Sequence, residues 1–356
     1  MTRIIAMMPV RNEDWILDRT IRTRCSFCDV ILVANQRSTD ETRVILKRHA
    51  PKVVVIDNAD TSHSTKVRWH LLDAAREYQG NNFLILADAD EIFTPNIMDE
   101  NKLDDLVSIK PGTGVEVPWI QLWRSPFLWR NDHSIWSNRW QGVAFRDDRC
   151  MGYGEILRLN DHNGRIPVSC RIFRFSEVKL LHFQFVVFHR MLSKQRWYRA
   201  REALELSSEK AREINRYYCC TRDERHLHLD PIPPEWMDGW KNIGVDLGDF
   251  KEEPLYWYDV ELLRYFAEKG TPYFAPIDLW DVDWEEKRKL AKEQGYDGIP
   301  DEPIGDPRSF EQRLYHTYLH RFFHTPPWRD ASDLGKKLYR SFRIALRSTG
   351  LRRPHL

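Results

Sequence analysis

The chain has 356 residues, of which 30% are charged and 42% hydrophobic, and its net charge is +1. That length supports one large domain or two modest ones, each with a sizeable core. The near-neutral balance excludes a protein built mainly to neutralise a nucleic-acid backbone. No apolar run approaches the roughly 18 residues a membrane span requires, and the opening "MTRIIAMMPVRNEDW" is too short in its apolar part for a secretory signal. A cytoplasmic protein is therefore expected. Six cysteines stand at 25, 28, 150, 170, 219 and 220. Cys25 and Cys28 have zinc-knuckle spacing but no matching second pair, so reduced thiols are expected rather than a zinc site.

The first hundred residues alternate between two periods. "RIIAMMPV" is a short apolar strand, and "RNEDWILDRTIRTRC" after it has helical character. "VILVAN" is a buried-type strand. The helix in "STDETRVILKRHA" is capped by Ser38 or Thr39. "KVVVID" is a third strand. "SHSTKVRWHLLDAAREYQG" is an amphipathic helix ended by Gly80, and "NFLILADAD" is a fourth strand. This order predicts an α/β fold, a mostly parallel Rossmann-like sheet with helices on both faces.

From about 111 to 190 the chain is aromatic and strand-like, with a long polar stretch between its two strand-like pieces. Loops of that length in a compact domain are usually functional. A charged helix is expected over 191–218, a proline-punctuated connector over 229–240, and helices at 256–270 and 284–295. The predicted organisation is a catalytic domain over 1–220, with a nucleotide-binding half (1–100) and an acceptor half (101–220). A helical extension over 221–333 and a basic amphipathic tail over 334–356 follow. The tail carries Lys336, Lys337, Arg340, Arg343, Arg347, Arg352 and Arg353 and no acidic residue, which suits peripheral contact with an anionic membrane, at its inner face for a cytoplasmic protein.

The stretch "LADADEIF" places Asp88, Asp90 and Glu91 at the end of the fourth strand. In an open parallel sheet, ligands bind at the carboxyl ends of the strands. If the strand persists, Asp88 and Asp90 point to one side. Two like charges about 6 Å apart repel by roughly 3 kcal/mol at an effective dielectric near 20. A divalent cation reverses that sign, and oxygen ligands suit Mg2+ or Mn2+ shared with a diphosphate.

Three segments in order, "MPVRNED" (8–14), "VANQRSTDET" (33–42) and "LADADEIF" (86–93), resemble the inverting glycosyltransferases of family 2, which have the GT-A fold. A weaker resemblance runs through "LLHFQFVVFHRMLSKQRWYRARE" (180–202). The resemblance implies a metal-dependent transfer of a sugar from a nucleotide-diphospho-sugar to a hydroxyl of a glycan or lipid-linked acceptor. It implies that Arg11, Asn12 and Glu13 line the base and ribose pocket. Asn35 stands where the family usually has Asp. Asp57 would touch the base, and Lys66, Arg68 and Lys194 would approach the base or diphosphate. Asp88 would bind the ribose, and Asp90, with Asp88 and His182, would hold the metal. Tyr198 shares a helix face with Lys194. His162, Arg165 and Pro167 in "DHNGRIP" resemble a loop of related enzymes without a derivable role.

Inversion needs a carboxylate to take the acceptor's proton. Asp132, Asp147, Asp148, Glu155 and Asp161 compete, and Asp147 and Asp148 in "FRDDR" are preferred, with Glu155 after them. Trp119, Trp123, Trp129, Trp136 and Trp140 offer aromatic faces for an acceptor groove. Two rival readings share the fold: a sugar nucleotidyltransferase, which would need a Gly-rich phosphate loop that "PVRNEDWI" lacks, and a non-catalytic carbohydrate-binding protein.

Overall fold

A computed structural model describes residues 2–58, 66–137, 139–150, 152, 165–167, 170–222, 224 and 226–322. The tail 334–356 lies outside the described residues. The elements in chain order are β1 (Ile4–Val10), α1 (Asp14–Cys25), β2 (Val30–Asn35), α2 (Thr42–Arg48), β3 (Val53–Asp57), α3 (Lys66–Arg76), β4 (Phe83–Leu86), β5 (Glu91–Phe93), α4 (Glu100–Val107), β6 (Thr113–Trp123), β7 (Leu128–Arg130), β8 (Arg139–Arg146), β9 (Arg171–Arg174) and β10 (Leu180–Phe185). They continue with α5 (Phe188–Leu206), α6 (Ala211–Tyr218), β11 (Leu229–Pro231), α7 (Asp238–Asn242), α8 (Trp257–Lys269), α9 (Trp284–Glu293) and α10 (Phe310–Phe322).

The strands β3, β2, β1 and β4 lie side by side and run parallel. Alternation along β1 explains why both faces are covered. Ile4, Ala6, Met8 and Val10 join a core with Ile16, Leu17 and Ile21 of α1 and Ile45 and Leu46 of α2. Ile5 and Met7 face the other way, onto Val67, Leu71, Leu72 and Ala75 of α3. The sheet then changes direction: β8 pairs antiparallel with β4, and β6 antiparallel with β8. The strand β10 runs parallel to β6 and antiparallel to the short β5. This is the mixed α/β architecture with a mostly parallel sheet and a helical C-terminal region that the GT-A resemblance implies.

Two local expectations are corrected. The fourth strand does not reach Asp90: β4 stops at Leu86, the chain turns, and β5 begins at Glu91. The long charged helix is two helices, because Ser207 adopts a left-handed φ of 86° between α5 and α6. No helix among the described residues is long and apolar enough to cross a membrane.

The chain divides into two compact units, Met1–Phe188 with His228–Glu252, and His189–Leu227 with Glu253–Leu356. The second unit buries an ion network. Asp281 accepts from Arg196 Nε at 2.7 Å and pairs with Arg222, while Asp278 lies 2.8 Å from His320 Nε2 and 3.8 Å from Arg199. Burial alone would raise the Asp278 carboxyl's pKa, but the His320 hydrogen bond and the arginine charges outweigh it and hold the group well below its ordinary 3.8. A depressed folded-state pKa contributes stability that is present above the ordinary value and lost as pH falls toward the depressed one. The stability gap between the native chain and Asp278→Asn should therefore shrink from about pH 5 to about pH 3; denaturant titrations at each pH check this.

Candidate functional site

Because β1, β2, β3 and β4 are parallel, their carboxyl ends share one edge, where Val10 is in register with Asn35 and Asn35 with Asp57. The loop after β1 is stitched to the loop after β2. Asn12, buried and left-handed at φ 52°, accepts from Thr39 N at 2.7 Å, donates Nδ2–H to Thr39 Oγ1 at 3.3 Å, and donates its backbone N–H to Ser38 Oγ at 3.0 Å. Glu13 N donates to Thr42 Oγ1 at 3.1 Å, and its carboxylate accepts from Trp15 Nε1 at 2.6 Å. Half-buried Arg11 precedes them. The Asn35 side chain accepts from Ser38 N at 3.2 Å and its Nδ2 lies 3.5 Å from Asp57 Oδ1. A carboxylate at position 35 would face Asp57 with a like charge, so the amide suits this neighbour. Asp57 also pairs with Arg43 at 2.8 Å. Lys66, exposed, and Arg68, half-buried, open α3 as expected.

The acidic turn after β4 is held from two sides. Arg24 of α1 is fully buried beneath it and donates Nη2–H to the carbonyls of Ala87 (3.0 Å), Asp88 (2.8 Å) and Glu91 (3.3 Å). Glu91 has no exposed surface, and its carboxylate accepts from Asp88 N at 2.9 Å, from Trp119 Nε1 at 2.8 Å and from Arg165 Nη1. The second guanidinium nitrogen of Arg165 reaches Asp88 Oδ2 at 2.8 Å. Burial works to lower the Arg165 pKa, but the Asp88 and Glu91 carboxylates more than offset it, so this cation is held above its ordinary value.

Glu91, His182 and Gln121 stand in register across β5, β10 and β6. His182 Nδ1 lies 2.8 Å from Gln121 Oε1. An amide oxygen only accepts, so Nδ1–H is the donor of this bond. The Nε2 of the same ring stands 3.6 Å from Asp90 Oδ2, with both side chains about 95% buried. Trp119 stacks on the imidazole with ring centroids 4.8 Å apart.

The structure thus brings Asp88, Asp90, Glu91 and His182 together, but not as one cage. Asp90 faces His182, while Asp88 is tied to Arg165. Among the described residues, no group of three or more His, Cys, Asp or Glu side chains is arranged to hold a metal ion. Arg165 already supplies positive charge to Glu91 and Asp88.

The two preferred bases lie away from the acidic turn. Because β8 runs antiparallel to β4, with Arg146 beside Phe83, Asp147 and Asp148 emerge at the amino end of β4. Four strand residues at about 3.3 Å each put roughly 13 Å between that end and the acidic turn. Asp147 N donates to Asn82 O at 3.0 Å, and its carboxylate takes a bidentate pair from Arg76 at 2.8 and 2.9 Å. Asp148 accepts from Cys150 N at 2.8 Å. Asp147→Ala should therefore cost about 2 kcal/mol of stability, read by urea denaturation, and leave kcat within about twofold.

Asp132 is buried against Arg130 at 2.6 Å. Glu155, Asp161 and His162 lie outside the described residues. Lys194 and Tyr198 belong to the second unit, with the ammonium 6.0 Å from the Tyr198 ring centroid. Of the five tryptophans, Trp123 is fully buried, Trp119 serves Glu91 and His182, and Trp140 alone is exposed, at 38%. Arg24 and Gln121 carried no signal in the sequence beyond lying near apolar runs.

Residues 5–153 match the model of glycosyl transferase family 2. The match covers less than half of the chain and is a likeness of this segment. The matched segment includes the loops after β1, β2 and β3 and the acidic turn, while His182 and Arg165 lie beyond the matched residues. No curated protein matches the chain. Among solved structures, glucosyl-3-phosphoglycerate synthase from Mycobacterium tuberculosis, in complex with Mn2+, UDP and glucosyl-3-phosphoglycerate, is 18% identical. That likeness covers 34% of this chain and 44% of that one, with a TM-score of 0.26. Mannosyl-3-phosphoglycerate synthase from Rubrobacter xylanophilus is 21% identical over 35% of this chain and 41% of that one, with a TM-score of 0.26. S. aureus TarS 1-349 is 12% identical over 85% of this chain and 98% of that one, with a TM-score of 0.36. The chain spans less than half the length of the two synthases.

Proposed function

We propose that the protein transfers a sugar, with inversion, from a nucleotide-diphospho-sugar to a hydroxyl of a glycan or lipid-linked acceptor, assisted by Mn2+ or Mg2+. The observation that carries the metal is the buried pair of Asp90 and His182, 3.6 Å apart at the carboxyl edge. Neighbouring ligands of an octahedral ion with bonds of about 2.1 Å stand roughly 3 Å apart. A carboxylate oxygen and an imidazole lone pair at this separation fit such an ion, with a diphosphate completing its shell. When bound, the ion offsets the charge that develops on the leaving nucleoside diphosphate.

The chain's own residues do the rest. Gln121 holds the His182 tautomer, as outer partners of metal-binding imidazoles do. Asp88, 38% exposed at its side chain, presents its carboxylate to the ribose. Asn12, Asn35 and Asp57 shape the edge that takes the base. The acceptor's proton falls to a carboxylate other than Asp147 and Asp148, and Glu155 is the assignment among those expected.

A thermal-shift screen of UDP-, GDP-, dTDP- and CMP-sugars with Mn2+ or Mg2+ tests this. One nucleotide should raise Tm by several degrees only when the metal is present, and EDTA should remove the shift. Silence from all of these combinations would favour a carbohydrate-binding role instead.

A further inference from the structure

The segment carrying Arg165 reaches the acidic turn along a track prepared by two glycines. A Cβ at Gly114 would stand 2.8 Å from Ile166 Cδ1, and one at Gly142 would stand 3.0 Å from both Cδ1 and Cγ1 of Ile166. The first is closer than real Cβ atoms come, and the second is tight enough that Ile166 would have to give way. Gly114 lies on β6 and Gly142 on β8, two strands paired with each other. The bare backbone at these positions lets Ile166 lie flat on the sheet, which sets Arg165 next to Asp88 and Glu91. Glu91 has no solvent to share its charge with, so it requires a standing cation. Arg165 meets that need, and its remaining nitrogen donates to Asp88 Oδ2 at 2.8 Å, so one cation serves both carboxylates.

We propose that Arg165 is a positioning residue that keeps the acidic turn from capturing a divalent ion by itself, so that the ion arrives with the donor's diphosphate. This rests on the donor reading above. With Arg165 in place, Asp90 and His182 offer two donor atoms to an ion, and the phosphates supply what is missing. Without it, the acidic turn carries one positive charge fewer, which strengthens its attraction for the ion.

The test is Mn2+ alone, titrated into the full chain and followed by electron paramagnetic resonance of the free ion. Arg165→Met should bind Mn2+ at least about tenfold more tightly than the native chain. Gly142→Val alters no charge and should move the affinity in the same direction by displacing Ile166. The double variant Glu91→Gln/Arg165→Met removes one carboxylate with the cation and should return to within about threefold of native. A merely structural role for Arg165 predicts weaker or equal binding in Arg165→Met, and that result overturns the proposal. Mn2+ binding by neither chain, even with UDP, GDP or dTDP added, would sink the donor reading and this proposal with it. Binding by the native chain with no gain in Arg165→Met sinks this proposal alone.

Discussion

Asp90→Asn should lower kcat/KM for sugar transfer about a thousandfold while Tm moves by only about 3 °C. The substitution keeps the shape of a side chain that is 5% exposed and removes its charge. The backbone bond from Phe183 N to Asp90 O, 2.8 Å long, which ties the turn to β10, is untouched. What disappears is the anionic oxygen facing His182 Nε2, and with it the means of holding an ion against a leaving diphosphate. Steady-state kinetics with the donor found in the thermal-shift screen gives the rate, and a melting curve gives the stability. Native-like turnover in Asp90→Asn would remove Asp90 from the mechanism.

Glu91→Ala should act the other way round, on folding first. It should cost about 3–5 kcal/mol, the range for breaking a buried ion pair by removing one partner, and lower Tm by roughly 10 °C. The carboxylate has no exposed surface and satisfies three donors, Asp88 N, Trp119 Nε1 and Arg165 Nη1. Alanine leaves all three facing a void, one of them charged. Calorimetry on the native and variant chains measures the loss. A change below about 1 kcal/mol would show that solvent reaches the site.

The parallel half of the fold was legible because each strand there is a short apolar run between helical periods, and the two faces of β1 alternate cleanly. The end of β4 was not. Ala87 and Ala89 are buried like strand residues, so the turn through Asp88 hides inside an unbroken apolar–acidic alternation. The placement of Asp147 and Asp148 was not legible for a different reason. Their distance along the chain from the acidic turn is compatible with either edge of the sheet, and only the antiparallel direction of β8 decides which edge they reach. Arg165 illustrates the limit further. It lies 77 residues from Asp88, and its signal was a family likeness in "DHNGRIP", with no chemistry attached until Glu91 proved to be sealed from water. The break at Ser207 was invisible because serine in a left-handed conformation has no compositional mark.

The bonds from Asn12 to Ser38 and Thr39, and from Glu13 to Thr42, have a consequence for redesign. The two loops that border the nucleotide edge are heritable only as a cassette. Grafting either one from another enzyme orphans the anchors of its neighbour, so successive single-loop swaps would pass through a broken intermediate. Retargeting such a protein to a new donor means transplanting both loops in one step.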